Sequence, residues 1–510
     1  MSGFQISHRI PPSWSWSTIG LACLKVQDGT HFSPQNQLAH GAYRYITAKN
    51  VRPSGLDLSN VSYLAEDEHR VIYKRCDPKK GDVLLVKDGV NTGDAAVNTL
   101  DEEISLLSSV CLLRPNPELL SSQFLRYFLL SPIGYQMLTG QMTGTAIKRI
   151  VLRRIKDSPV PIAPLAEQES IVAEIEKQFS RLDEAVANLK RVKANLKRYK
   201  AAVLKAAVEG KLTEAWRKQH PNVEPASKLL ERILAERRAH WEKNELSKMK
   251  ARDASRKHES WKKRYKEAER PKPGEIYEIP KSWVWTNLGE LSWSVKDGPH
   301  YSPKYSEIGI PFISGGNIRP EGIDFSTAKF ISPELHRELS ERCKPEYGDL
   351  LYTKGGTTGI ARVNTERREF CVWVHVAVMK LVDSIKRFYL QYALNSPHCY
   401  RQSQKYTHGV GNQDLGLTRM IWITVPLPPL QEQEQIVAEV ERRLSVIDEL
   451  EATVEANLTR AERLRQSILS QAFSGRPMRE GRWSSPDDVP AFSLAAERQA
   501  RYGKDGRTRR

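Results

Sequence analysis

The chain carries the same series of motifs twice. Ile-Pro-Pro-Ser-Trp-Ser-Trp at 10–16 returns as Ile-Pro-Lys-Ser-Trp-Val-Trp at 279–285, and Pro-Leu-Ala-Glu-Gln-Glu at 164–169 returns as Pro-Leu-Gln-Glu-Gln-Glu at 429–434. Copies this far apart are not solenoid units, because solenoid repeats span about 20–50 residues. The sequence therefore predicts two similar domains in one polypeptide.

Each copy ends in a long segment with an apolar residue at every seventh position. Five heptads favour a coiled coil, with two separately packed helices as the alternative. A connector that brings the second copy back over the first requires the two helices to run antiparallel. The apolar column consists of Ile175, Leu182, Leu189, Leu196 and Val203 in the first copy, and of Val440, Ile447, Val454, Ala461 and Ile468 in the second.

Short apolar strands precede a helical stretch in each copy, which favours the α+β class. We predict two similar globular domains separated by a pair of long antiparallel helices. The predicted parts are a first domain at 1–163, a first long helix at 164–212, a charged and mostly helical connector at 213–278, a second domain at 279–428, a second long helix at 429–475 and a poorly ordered basic tail at 476–510.

The composition favours a polyanionic partner. The net charge is +17, and a basic protein gains affinity for nucleic acid by releasing counterions. No apolar run approaches the length of a membrane span, and the N-terminus lacks a signal-peptide pattern. The 6 cysteines are scattered without a Cys-x-x-Cys pair, so we expect neither zinc nor disulfides, and a reducing, cytoplasmic location.

Catalytic motifs are missing from the sequence. Gly210-Lys211-Leu212-Thr213 is the nearest approach to a phosphate-binding P-loop and fails its spacing. The chain also lacks the tetrad of amino-group methyltransferases, His-Glu-x-x-His and Gly-x-Ser-x-Gly. We therefore expect a chain without catalytic residues and without a bound metal. An enzyme with an unrecognised site would need a polar cluster shared by both copies, and the sequence offers only the pair His31 and His300.

Taken together, the motifs resemble the specificity (S) subunit of type I restriction–modification systems. The matching elements in each copy are Ile-Pro-x-Ser-Trp-x-Trp at the start, Gly-Asp-x-Leu before a glycine-rich loop, and Pro-Leu-x-Glu-Gln before the long helix. The similarity extends to Gly475. The connector is longer than the family plan requires, and the tail is additional.

The resemblance implies two target-recognition domains that read an asymmetric, bipartite sequence in double-stranded DNA. It also implies two adenine-N6 methyltransferase subunits carrying S-adenosylmethionine, and translocase–nuclease subunits that use ATP and Mg. This chain would then bind no cofactor itself, and its role would be to select the DNA sequence. The rival interpretation is a coiled-coil scaffold that does not bind DNA, which leaves two basic domains with different polar loops unexplained.

If the two half-sites differ, residues that read bases should be polar, lie in loops and differ between the copies. The first such segment is 87–93, which corresponds to 354–359 in the second copy. Its glycines permit close approach to DNA, its lysines are candidates for phosphates and its asparagine for adenine; a solvated hairpin turn is the alternative. The candidates are Lys87, Asn91, Thr92, Lys354, Thr357 and Thr358.

The second segment is 143–149, which corresponds to 407–413 in the second copy. Its amide side chains suit adenine and its basic side chains suit guanine, while a loop that caps the preceding helix is the alternative. The candidates are Thr143, Thr145, Lys148, Arg149, His408, Asn412 and Gln413. His31 and His300 fit structural hydrogen bonding better than base recognition.

Overall fold

A computed structural model of the chain describes residues 10–34, 37–140, 149–251, 259–271, 277–409, 413–474, 478–479 and 482–483. The chain divides into two compact units. One consists of Met1–Lys190 with Glu455–Arg510, and the other of Arg191–Val454. Within the described part of the chain, helices that combine the length and apolarity of a membrane span are absent.

A four-stranded antiparallel sheet forms the centre of each copy. The strand that follows Gly-Asp, Val83–Val86 or Leu350–Thr353, is buried along its whole length. This burial agrees with the uninterrupted apolar run in the sequence. The spatial order is Cys23–Asp28, Val110–Pro115, Val83–Val86 and Ala95–Val97 in the first copy, and Ser292–Asp297, Val376–Leu381, Leu350–Thr353 and Ala361–Val363 in the second.

Smaller sheets are also repeated. In each copy the middle strand of a three-stranded sheet pairs antiparallel on one side and parallel on the other. The first copy contains Ser62–Leu64, Tyr43–Ile46 and Ile104–Leu106, the hairpin Val51–Arg52 with Gly55–Leu56, and the pair Ser15–Thr18 with Pro159–Ile162. The second contains Lys329–Ile331, Ile310–Ile313 and Cys371–Val372, the hairpin Ile318–Arg319 with Gly322–Ile323, and the pair Val284–Asn287 with Thr424–Leu427.

The short helices follow the same plan. Ser131 and Ser396 are buried, and each caps a helix whose first residue is proline, because the serine hydroxyl accepts an otherwise unpaired N–H. The first copy has Ile19–Ala22, Glu66–Arg75, Ser122–Leu130, Pro132–Thr139 and Leu152–Asp157, and the second has Leu288–Leu291, Gly315–Asn317 (3₁₀), Pro333–Arg342, Arg387–Leu394, Pro397–Tyr406 and Leu417–Met420. The connector adds Glu214–Gln219, Ala226–Ala251 and the 3₁₀ turn Glu259–Arg264, and the tail adds strands Met478–Arg479 and Arg482–Trp483.

Two long helices, Leu165–Val208 and Leu430–Ala472, contain 44 and 43 residues. Every residue of the two predicted heptad columns is buried or half-buried. In the first unit the end of the second helix completes the core, since the ring of Phe473 lies 5.2 Å from that of Phe124 and 5.4 Å from that of Phe128. Nearby, Arg465 forms an ion pair with Asp183 of the first helix.

The second unit shows the direction of the helices. Lys200 of the first helix lies 3.2 Å from Asp448 of the second. Further along the chain, Thr213 lies 2.6 Å from Glu432. The partner position therefore falls as the chain advances, and the helices run antiparallel. The predicted fold class, two α+β domains with a pair of long antiparallel helices, is confirmed.

Glu432, in the first turn of the second long helix, has a buried carboxylate that binds residues from two other segments. The side chain of Glu432 is fully buried and accepts hydrogen bonds from Thr213 Oγ1 at 2.6 Å, Arg217 Nη1 at 2.5 Å and Trp283 Nε1 at 2.8 Å. Two of these donors follow the first long helix, and the third belongs to the tryptophan motif. The motif Pro-Leu-x-Glu-Gln thus joins three distant segments of this unit.

Glu432→Ala should destabilise this unit by about 3 kcal/mol, because it removes a buried carboxylate that pairs with the half-buried guanidinium of Arg217 and accepts from Thr213 and Trp283. Glu167→Ala alters the corresponding, half-exposed position of the first copy and should cost less than about 1 kcal/mol. Calorimetric unfolding of both variants provides the comparison. Equal losses would contradict the special role of Glu432.

Candidate nucleic-acid interface

One buried carboxylate joins the loops at the edge of the first copy's central sheet. Asp28, at the end of strand Cys23–Asp28, lies 3.3 Å from Lys87 Nζ, 3.1 Å from Arg75 Nη2 and 3.2 Å from His31 Nε2. Both Asp28 and Lys87 are almost completely buried. A buried charge is tolerated when it is paired, and here one carboxylate has three basic neighbours.

The electrostatics keep this carboxylate ionised. Burial alone would raise the pKa of Asp28, but the positive charge of Lys87, the hydrogen bond from Arg75 and the proximity of His31 together lower it below its ordinary value. The carboxylate therefore retains its negative charge at neutral pH and holds the three basic side chains around it.

The second copy repeats the cluster. Asp297 lies 3.4 Å from Lys354, 2.8 Å from Arg342 and 3.3 Å from His300. The sequence draws attention to the Asp-Gly turn and to each lysine, but it does not reveal that they pair. The duplication supplies the missing signal, since the aspartate, lysine, arginine and histidine all recur in equivalent places.

The described end of the second predicted loop segment lies beside the first segment in each copy. In the first copy the amide of Ile150 donates to the carbonyl of Lys87 at 2.8 Å, and Asp88 forms a β-bridge with Arg149. In the second copy the amide of Leu415 donates to the carbonyl of Lys354 at 2.8 Å, and Gly355 forms a bridge with Asp414. Each copy therefore presents a composite surface, made by the Asp-Gly turn, the glycine-rich loop and the residues that contact this loop, Arg149 and Ile150 in the first copy and Gln413–Leu415 in the second.

The predicted contact residues differ in exposure. Asn91 is half-buried. The exposed candidates are Arg149, Thr357, His408 and Gln413; the buried ones are Lys87, Thr92, Lys354 and Thr358; and Thr143, Thr145, Lys148 and Asn412 lie outside the described residues.

The burial of Lys87 and Lys354 bears on their predicted role in binding phosphates. Their side chains are 2% and 3% exposed, and both ammonium groups face carboxylates. This geometry favours a role in holding the loops over direct contact with a phosphate. Thr92 and Thr358 are also bonded within the loops, the first to Gly89 O at 2.6 Å and the second to Gln404 Nε2 at 2.9 Å. The exposed candidates keep their predicted role in DNA contact as a prediction.

The two surfaces carry different charges at the same place. Arg149 in the first copy occupies the bridge position that Asp414 occupies in the second. Arg149 lies 3.9 Å from Asp88, whereas Asp414 lies 2.8 Å from Lys354. A shared framework therefore supports unlike polar groups, and Asp414 is a residue of this surface that the sequence did not indicate.

Each copy also contains a buried histidine that the sequence did not indicate, His69 in the first copy and His336 in the second. His69 Nδ1 lies 2.9 Å from Ser105 Oγ, and His336 Nδ1 lies 3.1 Å from Cys371 Sγ. A histidine beside a hydroxyl or thiol has the composition of a nucleophilic site. Here the hydroxyl and thiol are buried, and desolvation raises the pKa of Cys371 to about 11. A buried, protonated thiol is not a nucleophile, so both pairs stabilise the core.

Among the described residues, Glu236, His240 and Asp383 are close enough together to hold a metal ion. The carboxylate of Glu236 already accepts hydrogen bonds from the amides of Asp383 at 2.5 Å and Ser384 at 3.3 Å. It thereby satisfies the backbone before helix Arg387–Leu394, which accounts for the cluster without an ion.

Lys87→Ala should lower the free energy of unfolding by about 1.5–3 kcal/mol, the contribution of a hydrogen bond to a charged group, because buried Asp28 would lose one of its three basic partners. Arg149→Ala, in the adjacent exposed pair, should cost less than about 1 kcal/mol. Denaturant titrations of the full chain measure both effects. A stable Lys87→Ala protein would show that the lysine is not needed to hold the loop.

Comparisons with known proteins agree with the duplicated fold. The family model for the type I restriction modification DNA specificity domain matches residues 24–198 and 280–460. The EcoKI specificity subunit of Escherichia coli strain K12 is 23% identical, covering 96% of this chain and 94% of the relative. The StySPI specificity subunit of Salmonella potsdam is 22% identical, with coverage of 96% and 94%. A chain from a solved type I restriction–modification structure matches the fold with a TM-score of 0.58 and 18% identity, covering 91% of this chain and 99% of that one. The protein belongs to the type I restriction modification DNA specificity domain family.

Proposed function

We propose that this chain is the specificity subunit of a type I restriction–modification complex and reads a split, asymmetric DNA sequence, one half-site with each copy. The observation that carries the proposal is the composite loop surface, which occurs twice on the same framework with different exposed polar groups. The net charge of +17 favours binding to DNA, because the phosphate backbone attracts a basic protein regardless of the DNA sequence.

The exposed groups on the two surfaces have the chemistry of base recognition. Gln413 in the second copy is an amide that can pair with adenine, and Arg149 in the first is a guanidinium that can pair with guanine. Because Arg149 and Asp414 occupy the same bridge position, the two surfaces should prefer different bases. Two unlike half-sites follow from this difference.

The proposal assigns catalysis to partner subunits. Two adenine-N6 methyltransferase subunits would bind S-adenosylmethionine, and translocase–nuclease subunits would use ATP and Mg. The full set of subunits would act on cellular DNA in the cytoplasm. Support comes from the family match and from relatives that are themselves named specificity subunits of type I restriction enzymes.

A scaffold that does not bind DNA is the competing hypothesis, and the family match does not favour it. Sequencing of modified adenines in host DNA, with and without the gene for this chain, tests the proposal. We expect methylation at a split motif that disappears with the gene. Unchanged methylation in the deleted strain would overturn the proposal.

We predict that Gln413→Ala relaxes recognition at one base position of one half-site, at a cost of about 1–3 kcal/mol in discrimination. The side chain is exposed, so its loss should leave the fold intact. Binding to duplexes with single-base substitutions measures the effect. The other half-site serves as the internal control, and equal losses at every position would argue against base recognition by Gln413.

We also predict that removing one heptad from each long helix shortens the unread spacer between the half-sites by about 3 base pairs. Seven helical residues rise about 10 Å, and base pairs stack about 3.4 Å apart. The half-site sequences should not change. Methylated-adenine sequencing of cells carrying the variant reports both properties.

The matched control replaces the same heptads with others of equal length and the same apolar column. This control should keep the original spacer. If cells carrying the shortened protein still show methylation at the original motif, helix length does not set the spacer.

A further inference from the structure

An exposed His–aromatic–Ser tripeptide lies beside the composite loop surface in both copies. It consists of residues 31–33 in the first copy and 300–302 in the second. The side chains of His31 and His300 are 52% and 63% exposed. Phe32 and Tyr301 are 50% and 54% exposed, although large aromatic side chains usually bury more of their surface.

The flanking residues, by contrast, are buried. In each copy the three residues before the tripeptide, starting with Asp28 or Asp297, and the proline after it are buried. The burial sequence of these seven residues is the same in both copies. The tripeptide is therefore a short projection with both ends fixed in the domain.

Backbone contacts hold the projection in place. A Cβ added to Gly29 would lie 2.0 Å from the carbonyl oxygen of Leu106, and one added to Gly298 would lie 1.8 Å from that of Val372. The turn is therefore pressed against the neighbouring strand more closely than any other residue type permits. In the second copy, Trp373 Nε1 also donates to the carbonyl of Tyr301 at 3.2 Å.

The projection adjoins the glycine-rich loop. In the first copy Ser108 donates its amide to the carbonyl of Thr30 at 2.8 Å, and Lys87 donates its amide to the carbonyl of Ser109 at 2.9 Å. In both copies the histidine of the tripeptide and the lysine of the loop contact the same aspartate. The tripeptide thus lies on the side of the domain that carries the divergent polar groups.

We propose that the two tripeptides contact the sugar–phosphate backbone of the duplex and position each domain on DNA without reading its sequence. The inference rests on the proposed function. Its basis is the contrast within the surface, since neighbouring exposed residues differ between the copies while the tripeptide keeps its chemistry. Phosphate and deoxyribose are common to every half-site, so a shared contact suits them and a base contact does not.

The side-chain chemistry fits this ligand. A serine hydroxyl and an imidazole N–H donate hydrogen bonds to phosphate oxygens, and an aromatic ring covers the apolar face of a deoxyribose. A protein partner that meets both domains would also favour a shared surface. DNA is favoured because the tripeptide adjoins the loops with base-reading chemistry, and association with methyltransferase subunits is measured as the competing outcome.

The test uses the full chain in complex with its methyltransferase subunits. Each tripeptide is changed to three alanines, separately and together, and Tyr347→Ala serves as the control. Tyr347 is 59% exposed but precedes strand Leu350–Thr353, at the end opposite Lys354. Fluorescence anisotropy measures binding to a duplex with the host's methylated motif and to a scrambled duplex of equal composition, at several salt concentrations.

We expect each triple variant to weaken binding to both duplexes by about tenfold at every salt concentration, with an unchanged ratio between the duplexes. The control should match the unaltered complex, and thermal melting should show that all variants fold. Unaltered affinity, a changed ratio between the duplexes or loss of methyltransferase subunits would each overturn the inference. If the unaltered complex itself does not prefer the motif, the proposed function fails instead.

Discussion

The buried ion pair between the aspartate of the Asp-Gly turn and the lysine after the central strand underlies the surface of each domain. Asp28 and Lys87 are 59 residues apart in the chain, and Asp297 and Lys354 are 57 apart. Each pair fixes where one loop leaves the sheet with respect to another. Because the charges are buried, separating them is costly, and the exposed residues beyond them are free to vary while the framework stays constant.

Duplication within one sequence predicted much of this molecule. Ile175 and Val440 begin regular columns whose members are buried or half-buried, and the apolar run after Gly-Asp is an inner strand of each four-stranded sheet. Local periodicity is sufficient for such elements because a helix or strand places its residues at a fixed spacing. The two candidate loop segments were chosen because loops that differ between otherwise similar domains are natural sites of recognition, and their role in DNA contact stays a prediction.

Residue-level roles were harder to predict because they depend on contacts between distant positions. Nothing local distinguishes Lys87, which is buried against Asp28, from an exposed lysine that meets a phosphate. Likewise, Glu432 and Glu167 occupy the same motif, but only Glu432 is fully buried and bound by Thr213, Arg217 and Trp283. The buried pairs His69–Ser105 and His336–Cys371 show the converse, because residues of reactive type serve the core when water and substrate are excluded.

The position of Phe473 has a consequence for biosynthesis. Its ring packs against Phe124 and Phe128, which are made some 345 residues earlier on the ribosome. The first domain therefore leaves the ribosome with an unfinished core and reaches its final packing only when translation of the second long helix is complete. A chain that ends before that point would leave Phe124 and Phe128 without this partner, and exposed apolar surface of this kind promotes aggregation.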